Sequence, residues 1–500
     1  MYKWLKVKNP AIVPLKDIPV LTVPEMLEEV VDLIKNEGVR PLHFAGRKTH
    51  DNRKVTVTIV LADDVENSLL LSQVVFTADD CYDSLTPQAP IMHLFERELY
   101  EQAGIIPLGH PWPKGVRYEH DRVGDLGNFN EYPYLQSEGI RMHEVAVGPV
   151  HAGIIEPGSF RFLCYGEQVW HLEIQLGYQH RGVEGLFKTG SILNKSHLSE
   201  SIAGDTVIGH AWAYAILAEL LTDTEVTNRV QAIRAIALEL ERIAMHLVGL
   251  GGIAMDIGYL PGASVYGRLR TAVINTMLKI CGSRFGRGLI RPGGVLFDID
   301  TALNLEIVDV LDVLYRDIEK INELFFNMPS VLSRLEHTGT VSKETAKAIG
   351  LVGIMAKMSG LSVDSRISHP ISIYANERLK PHVLDGGDVF ARAKIRVLEI
   401  DQSMRLIRRW LGTEVKRNEL YVKPGTVKSN HLAVSVVEGW RGEISHMVIT
   451  GNQSSVLQYK VKDPSFNNWM GLALAVRDNG ISDFPLCNKS FDLSYCGFDL

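Results

Sequence analysis

Apolar residues recur along this chain with two different periods, and the places where the period changes divide it. Near the start, Pro24–Asn36 (PEMLEEVVDLIKN) sets its apolar residues at helical spacing. Val55–Ala62 (VTVTIVLA) alternates threonine with aliphatics, as a half-buried strand does, and Leu69–Phe76 is its expected neighbour. A second helix is expected around Met92–Ala103, stopped by Gly104. From Gly115 to Met142, Gly, Asp, Asn and Tyr replace any period, which predicts a linker. Val145–Gly148 and Ser159–Gly166 then predict a strand pair.

Long helical patterns follow. Thr222-Asp-Thr-Glu225 has the form of a capping box, in which a Thr side chain and a Glu side chain satisfy each other's backbone N–H groups. Behind it, Val230, Ile233, Ala237, Leu240, Ala244 and Leu247 share one face, and Ile236, Ile243 and Leu250 widen it until only a narrow polar stripe remains. Such a helix belongs inside a bundle. Ala302–Phe326 predicts a second long amphipathic helix, and Pro424–Met447 returns to extended sequence. The expected fold class is α+β: a small α+β domain over 1–120, a linker over 121–142, and a large, mainly helical domain over 143–500 with peripheral strands.

Composition narrows the functional classes. With 46% hydrophobic and 22% charged residues the chain can bury a sizeable core. A net charge of −7 without a long basic block argues against nucleic acid as a partner. The longest apolar runs, Thr206–Ala218 and Ile243–Met255, are shorter than the ~18–20 residues of a spanning helix, and the first residues lack a secretory core. The expectation is a cytosolic chain able to sit on a membrane partner. Five cysteines without a CxxC pair exclude a disulfide framework and suit a reducing compartment. No phosphate-binding loop is present, and the GLGG at Gly249–Gly252 follows a helical run, so packing is its expected role. The apolar tail SFDLSYCGFDL (Ser490–Leu500) reads as a segment that folds inward, with Cys496 either a metal ligand or packing.

Several stretches carry a resemblance. ERELYEQAGIIPLGHP (Glu96–Pro111) resembles the small hydrophilic subunit of complex I. GPVHAGIIEPGSFRF (Gly148–Phe162), LGYQHRGVEGL (Leu176–Leu186), RPGGV (Arg291–Val295), DSRISHP (Asp364–Pro370), WRGE (Trp440–Glu443) and ISDFPL (Ile481–Leu486) resemble, in order, the quinone-pocket subunit of complex I. They equally resemble its relative, the large subunit of energy-converting [NiFe] hydrogenases. The two units are fused, as in the large subunit of formate hydrogenlyase.

In those hydrogenases four cysteines hold nickel and iron. By the resemblance, Ala203 and Thr206 stand at the first two ligand positions, and Ser494 and Gly497 at the last two, with Cys496 one residue displaced. Nickel in such a site needs soft thiolates, which these residues do not supply. The resemblance therefore implies no metal bound by this chain, a buried tail and a packing role for Cys496. The quinone site is altered too: the complex I tyrosine aligns with Gly204, and its histidine falls near Pro157. What remains resembles hydrogenase-related complexes that keep the architecture and lose the nickel ligands.

The same alignment nominates residues. Glu156 matches a proton-passing pocket carboxylate, or else faces water ahead of Pro157. Arg441 matches an arginine over the hydrogenase iron, and must be satisfied here by Glu443, by Asp364 or by a polar ligand. His180 and Arg181 match a segment that approaches the small subunit's cluster, the alternative being an Arg181 ion pair with Glu184. Asp364 and Arg366 are expected in a structural network, and Arg291 in a tight turn. His151, His210 and His369 fall in core segments. Glu156, Arg441 and His210 form the candidate catalytic set; His180, Arg181, Ala203, Thr206, Asp364, Arg366 and Ser494 form the candidate binding set. The implied function is that of a peripheral subunit of a membrane-bound, complex I-like oxidoreductase on the cytoplasmic face. Its expected partners are an Fe–S small subunit carrying a [4Fe–4S] cluster and antiporter-like membrane subunits, and its acceptor a quinone or another small molecule. No NADH site is visible; in the relatives NADH binds elsewhere. A non-catalytic scaffold that transmits conformational change is the alternative.

Overall fold

The computed structural model describes residues 3–49, 53–78, 80–137, 141–152, 155–412 and 419–500. The first unit is a five-stranded sheet in which Leu5–Val7, Ser68–Thr77, Lys54–Asp63 and Arg40–Lys48 lie side by side, with Val20–Leu21 parallel to Ser68–Thr77. The helix Val23–Asp32 opens on a capping box built by Thr22 and Glu25. Together with helix His93–Ala103 it covers the face that carries Val55, Val57, Ile59 and Leu61. Lys54–Asp63 is more deeply buried than its alternation predicts. Its other face, with Val60 and Ala62, packs on Leu432, Val434, Met447 and Ile449 of a second sheet.

That second sheet runs Val456–Lys462, Glu443–Thr450, His431–Glu438, Ala11–Pro14, so the chain start supplies an edge strand to the C-terminal domain. The boundary expected at residue 120 is therefore crossed by a strand as well as by a shared core. Arg40 ties the two sheets electrostatically, donating to Asp64 and to Glu443. Residues 138–140 of the expected linker lie outside the described residues. The rest of it is pinned by ring contacts among Tyr118, Phe129, Tyr132 and Tyr178. The expected strand pair exists as Met142–Val147 and Ser159–Tyr165, and Gln168–Gln175 adds a third strand.

Helices Val207–Leu221, Asn228–Asp256, Leu260–Cys281, Thr301–Phe325 and Val389–Gly412 build the second domain around one core. Thr301–Phe325 buries Ile307, Leu311, Leu314, Ile318, Ile321 and Phe325, a three-and-four spacing that leaves its other side wet. The capping box expected at Thr222–Glu225 is not formed. Thr222 ends the preceding helix, its hydroxyl donating back to Ala218, and Thr227 is the true N-cap, accepting from the N–H of Val230. Gly249 does serve packing: a Cβ there would lie 2.6 Å from Nε of Arg396. The tail also folds inward, as helices Phe484–Phe491 and Tyr495–Asp499, and leaves Leu500 buried.

Candidate functional site

Four segments meet where the tail crosses the helical domain: the turn Ser201–Thr206 leading into helix Val207–Leu221, the strand turn with Trp440 and Arg441, the loop with Glu156, and residues 488–496. They border an open cavity of about 370 Å³ lined by Glu156, Gly204, Asp205, Arg441, Asp492 and Cys496, among others.

Arg441 organises its wall. The guanidinium donates from Nη1 and Nη2 to the two carboxylate oxygens of Asp205 at 2.8 and 2.7 Å, from Nε to the carbonyl of Asp492 at 2.5 Å, and to Thr206 Oγ1 at 3.2 Å. It stacks 3.9 Å over the Trp440 ring. Burial opposes its charge, and the carboxylate of Asp205 more than restores it, so the side chain stays cationic. Neither Glu443 nor Asp364, the carboxylates expected to satisfy it, reaches Arg441. Glu443 is held by Arg40 and Lys462, Asp364 by Arg366 and Lys357. Asp205 was missed because only its place beside Thr206 marks it in the sequence. Opposite, Asp492 has a buried Oδ2 with no hydrogen-bond partner, and burial raises its pKa.

The four positions that the resemblance aligns with the hydrogenase thiolates make other contacts in this structure. Ala203 is buried. Thr206 spends its hydroxyl on Asp205 and Arg441. Ser494 caps helix Tyr495–Asp499 by accepting from the N–H of Gly497 at 2.9 Å. At Gly497 a Cβ would lie 2.7 Å from the Asp463 carboxylate and 2.8 Å from Ser494 Oγ, so a cysteine cannot enter there without moving Asp463. A hydroxyl, a methyl and a bare backbone position do not fit a [NiFe] group, which asks for four soft thiolates. Cys496 is not simply packed: it lines the cavity, with Sγ 3.5 Å from Ser494 Oγ. Burial, then the charge of Glu156, push its thiol up to about 12, so it stays protonated. Glu156 stands at the cavity edge, and its carboxylate accepts from the backbone N–H of Cys496 at 3.4 Å.

His210 opens a hydrogen-bonded chain behind this wall. Its Nε2 lies 3.1 Å from Asp463 Oδ2, its Nδ1 lies 3.0 Å from His446 Nε2, and His446 Nδ1 lies 2.8 Å from the Tyr459 hydroxyl. All four groups are buried. Burial opposes the charge of Asp463, but the hydrogen bond from His210 and the charge of Arg441 keep it ionised. Burial holds His446 neutral, its pKa far below that of a free imidazole. With Asp463 ionised, one donor order satisfies every atom: Tyr459 O–H to His446, His446 N–H to His210, His210 N–H to Asp463. A proton can shift stepwise along such a chain. None of Asp463, His446 and Tyr459 was expected from sequence. Glu241 was also missed. It accepts from the N–H groups of Ile208 and Gly209 at the first turn of the same helix, and burial raises its pKa to about 8.

The remaining nominated residues divide. Arg181 does not pair with Glu184, which bonds instead to Lys460 and the N–H of Val461. Arg181 donates to the carbonyls of Ser201, Ile202 and Cys496, and so locks the turn before Thr206 to the tail. His180 Nδ1 meets the Asp499 carbonyl at 2.8 Å, another tail contact. Asp364 and Arg366 pair directly, and with Lys357, Glu239, Arg242 and Glu399 they form a buried network behind the cavity. Arg242 extends it to the carbonyls of Glu438 and Gly439, at the turn that carries Trp440 and Arg441. His151 bonds the Gly158 carbonyl, His369 bonds Asp64, and Arg291 sits in the hairpin Ile290–Val295 stacked on Tyr421.

With this geometry in place, likeness to known proteins becomes informative. Residues 20–124 match the family of the respiratory-chain NADH dehydrogenase 30 Kd subunit, and residues 256–423 match that of the 49 Kd subunit. The chain carries both family domains fused on one polypeptide. Formate hydrogenlyase subunit 5 of Escherichia coli (strain K12) is 28% identical over 433 residues, 83% of this chain and 76% of the relative. Hydrogenase-4 component G of the same strain is 27% identical over 492 residues, 94% of this chain and 86% of the relative. A chain of the membrane-bound sulfane sulfur reductase, an archaeal respiratory membrane complex, has the same fold, with a TM-score of 0.68, 22% identity, and coverage of 72% of this chain and 99% of that one.

Proposed function

We propose that this chain is the fused peripheral subunit of a membrane-bound, complex I-like oxidoreductase. In this reading it takes part in electron transfer to a quinone or another small acceptor and binds no metal of its own. The observation that carries the reading is the cavity of about 370 Å³ bordered by Glu156, Asp205, Arg441 and Asp492, in segments that resemble the family's pocket. Ligand sites are typically about 300–1,000 Å³. A scaffold whose site had filled with side chains would leave no such space.

The roles follow from the contacts. An acceptor gaining electrons develops negative charge on oxygen, and a fixed guanidinium at the wall stabilises it. Three of Arg441's contacts orient that group before the acceptor arrives. Glu156, at the cavity edge, exchanges protons with solvent. The chain from Tyr459 to Asp463 holds a second proton path behind Ser494 and Gly497. The electrons would come from a [4Fe–4S] cluster in an Fe–S small subunit, and antiporter-like subunits would anchor the complex at the cytoplasmic face of the membrane. Among the described residues no helix is long and apolar enough to cross a membrane, so in this reading attachment is through partners.

Arg441→Met tests the role of the cavity. In membranes of the native host, electron flux through the complex should fall at least about tenfold, the size of one lost transition-state interaction, while the variant still co-purifies with its partners. Unchanged flux in an assembled complex would remove Arg441 from the site.

A further inference from the structure

One buried carboxyl close to the cavity takes no part in the steps above. Asp205, Thr206 and His210 all hang on the start of helix Val207–Leu221, and that start has no cap of its own. Thr206 forms no side-chain cap, because its hydroxyl is spent on Asp205 and Arg441. The free N–H groups of a helix start need an acceptor. Here two of them go to one side chain on another helix. Ile208 N–H donates to Glu241 Oε2 at 2.8 Å, and Gly209 N–H donates to Oε1 at 3.3 Å.

Glu241 has no cation to balance it. Arg242, its neighbour in sequence, is committed to Glu239 and to the carbonyls of Glu438 and Gly439. Arg284 shares only a narrow cleft with it, whose other walls include Met245, Val273, Ile274, Met277 and Phe285. Asp205 acts on it from the turn as a like charge. The carboxylate is thus caught between the helix N-terminus, which favours its charge, and burial, which opposes it. Burial prevails, and the carboxyl keeps a proton up to about pH 8.

We infer that Glu241 is a positioning residue of the cavity, fixing through two backbone N–H groups the turn that presents Asp205 to Arg441 and His210 to the relay. This role rests on the proposed function of that cavity. Glu241 does not line the cavity and acts only through the turn. Its hold depends on pH. Opening the turn to water releases the proton that the closed turn keeps, so the hold is full below about pH 4.5, weakens as pH rises to about 8, and changes no further above.

Amide hydrogen exchange of the full-length chain from about pH 6 to 9, read on the peptide spanning 203–214, tests this. Opening of that peptide should grow about tenfold per pH unit up to about pH 8, beyond the base-catalysed rise of exchange itself, and then level off. Glu241→Gln stays neutral, so it should fold like the native chain at pH 6 and lose the extra rise. In the complex purified from the host, native flux should fall above about pH 8 as Asp205 leaves Arg441, and flux through Glu241→Gln should not. The inference is overturned by a native chain without the extra rise, by an extra rise that persists in Glu241→Gln, or by coincident flux profiles. The native exchange profile decides even if the variant folds poorly. A native complex without any flux would instead refute the proposed function, and the exchange arm would still decide whether Glu241 holds the turn.

Discussion

Gly497→Ala probes the packing between the tail and Asp463 with a single methyl group. A Cβ at that position would come within 2.7 Å of both Cγ and Oδ2 of Asp463 and 2.8 Å of Ser494 Oγ, well inside contact distance. Asp463 cannot simply step aside. Its Oδ1 accepts from the N–H of Ser465 at 2.8 Å, and its Oδ2 is engaged by His210. Ser494 is equally fixed, by the N–H of Gly497 and through its own N–H to Ser465 Oγ. Overpacking of this kind costs about 1–3 kcal/mol. In a chain of 500 residues that moves a melting temperature little, but it falls on the tail and shows in local opening. Amide hydrogen exchange of the peptide spanning 492–500 should accelerate about 5- to 150-fold. Gly267→Ala is the control: it sits mid-helix in Leu260–Cys281 with nothing within 4 Å of the added carbon, and should stabilise slightly or change nothing. Unchanged exchange of the tail in Gly497→Ala would refute the close packing of Asp463 against Gly497, and with it the account of why this residue is glycine.

Two further outcomes follow from the buried groups. Burial, then the charge of Asp364, raise the Glu438 pKa to about 7, far above that of an unfolded glutamate, so the folded protein holds a proton that the unfolded chain releases. Stability should therefore fall as pH rises from about 4.5 to 7 and level off above; Glu438→Gln should flatten that slope in melting curves, and an unchanged slope would contradict the assignment. Tyr459→Phe keeps the stack on Phe187, at 4.0 Å between ring centres, but leaves His446 Nδ1 buried without a donor. A stability loss of about 1–3 kcal/mol is expected by chemical denaturation, with slower turnover and a larger solvent isotope effect if protons travel this chain; no change in either would retire the relay.

Local motifs mark segments that meet in the fold, but not the contacts between them. Glu156 and Arg441 border one cavity, whereas Thr206, Ser494 and His210 stand in or behind its wall and do not line it. The partner of Arg441 was misjudged, because Glu443 and Asp364 are near it in sequence or motif while Asp205 reaches it across more than two hundred residues. The relay was illegible for the same reason. His210 and Asp463 lie on separate elements, and Asp463-Pro464 reads simply as a helix N-cap, which it also is. Hydrophobic period found the long helices but not their ends: Thr222 and Thr227 both precede the run, and only the structure distinguishes the helix stop from the cap. The strand Lys54–Asp63 carried alternation typical of one wet face, yet a strand borrowed from the chain start helps close a second sheet over it.

The central claim is that this chain serves a membrane-bound oxidoreductase from a site that has lost its metal. It is met most directly by purifying the chain from its own host in mild detergent, identifying the co-purifying subunits by mass spectrometry and measuring nickel in the same sample. Recovery of an Fe–S small subunit and antiporter-like membrane subunits, with no nickel above background, is the expected result. A chain recovered alone, or one carrying stoichiometric nickel, would contradict the account.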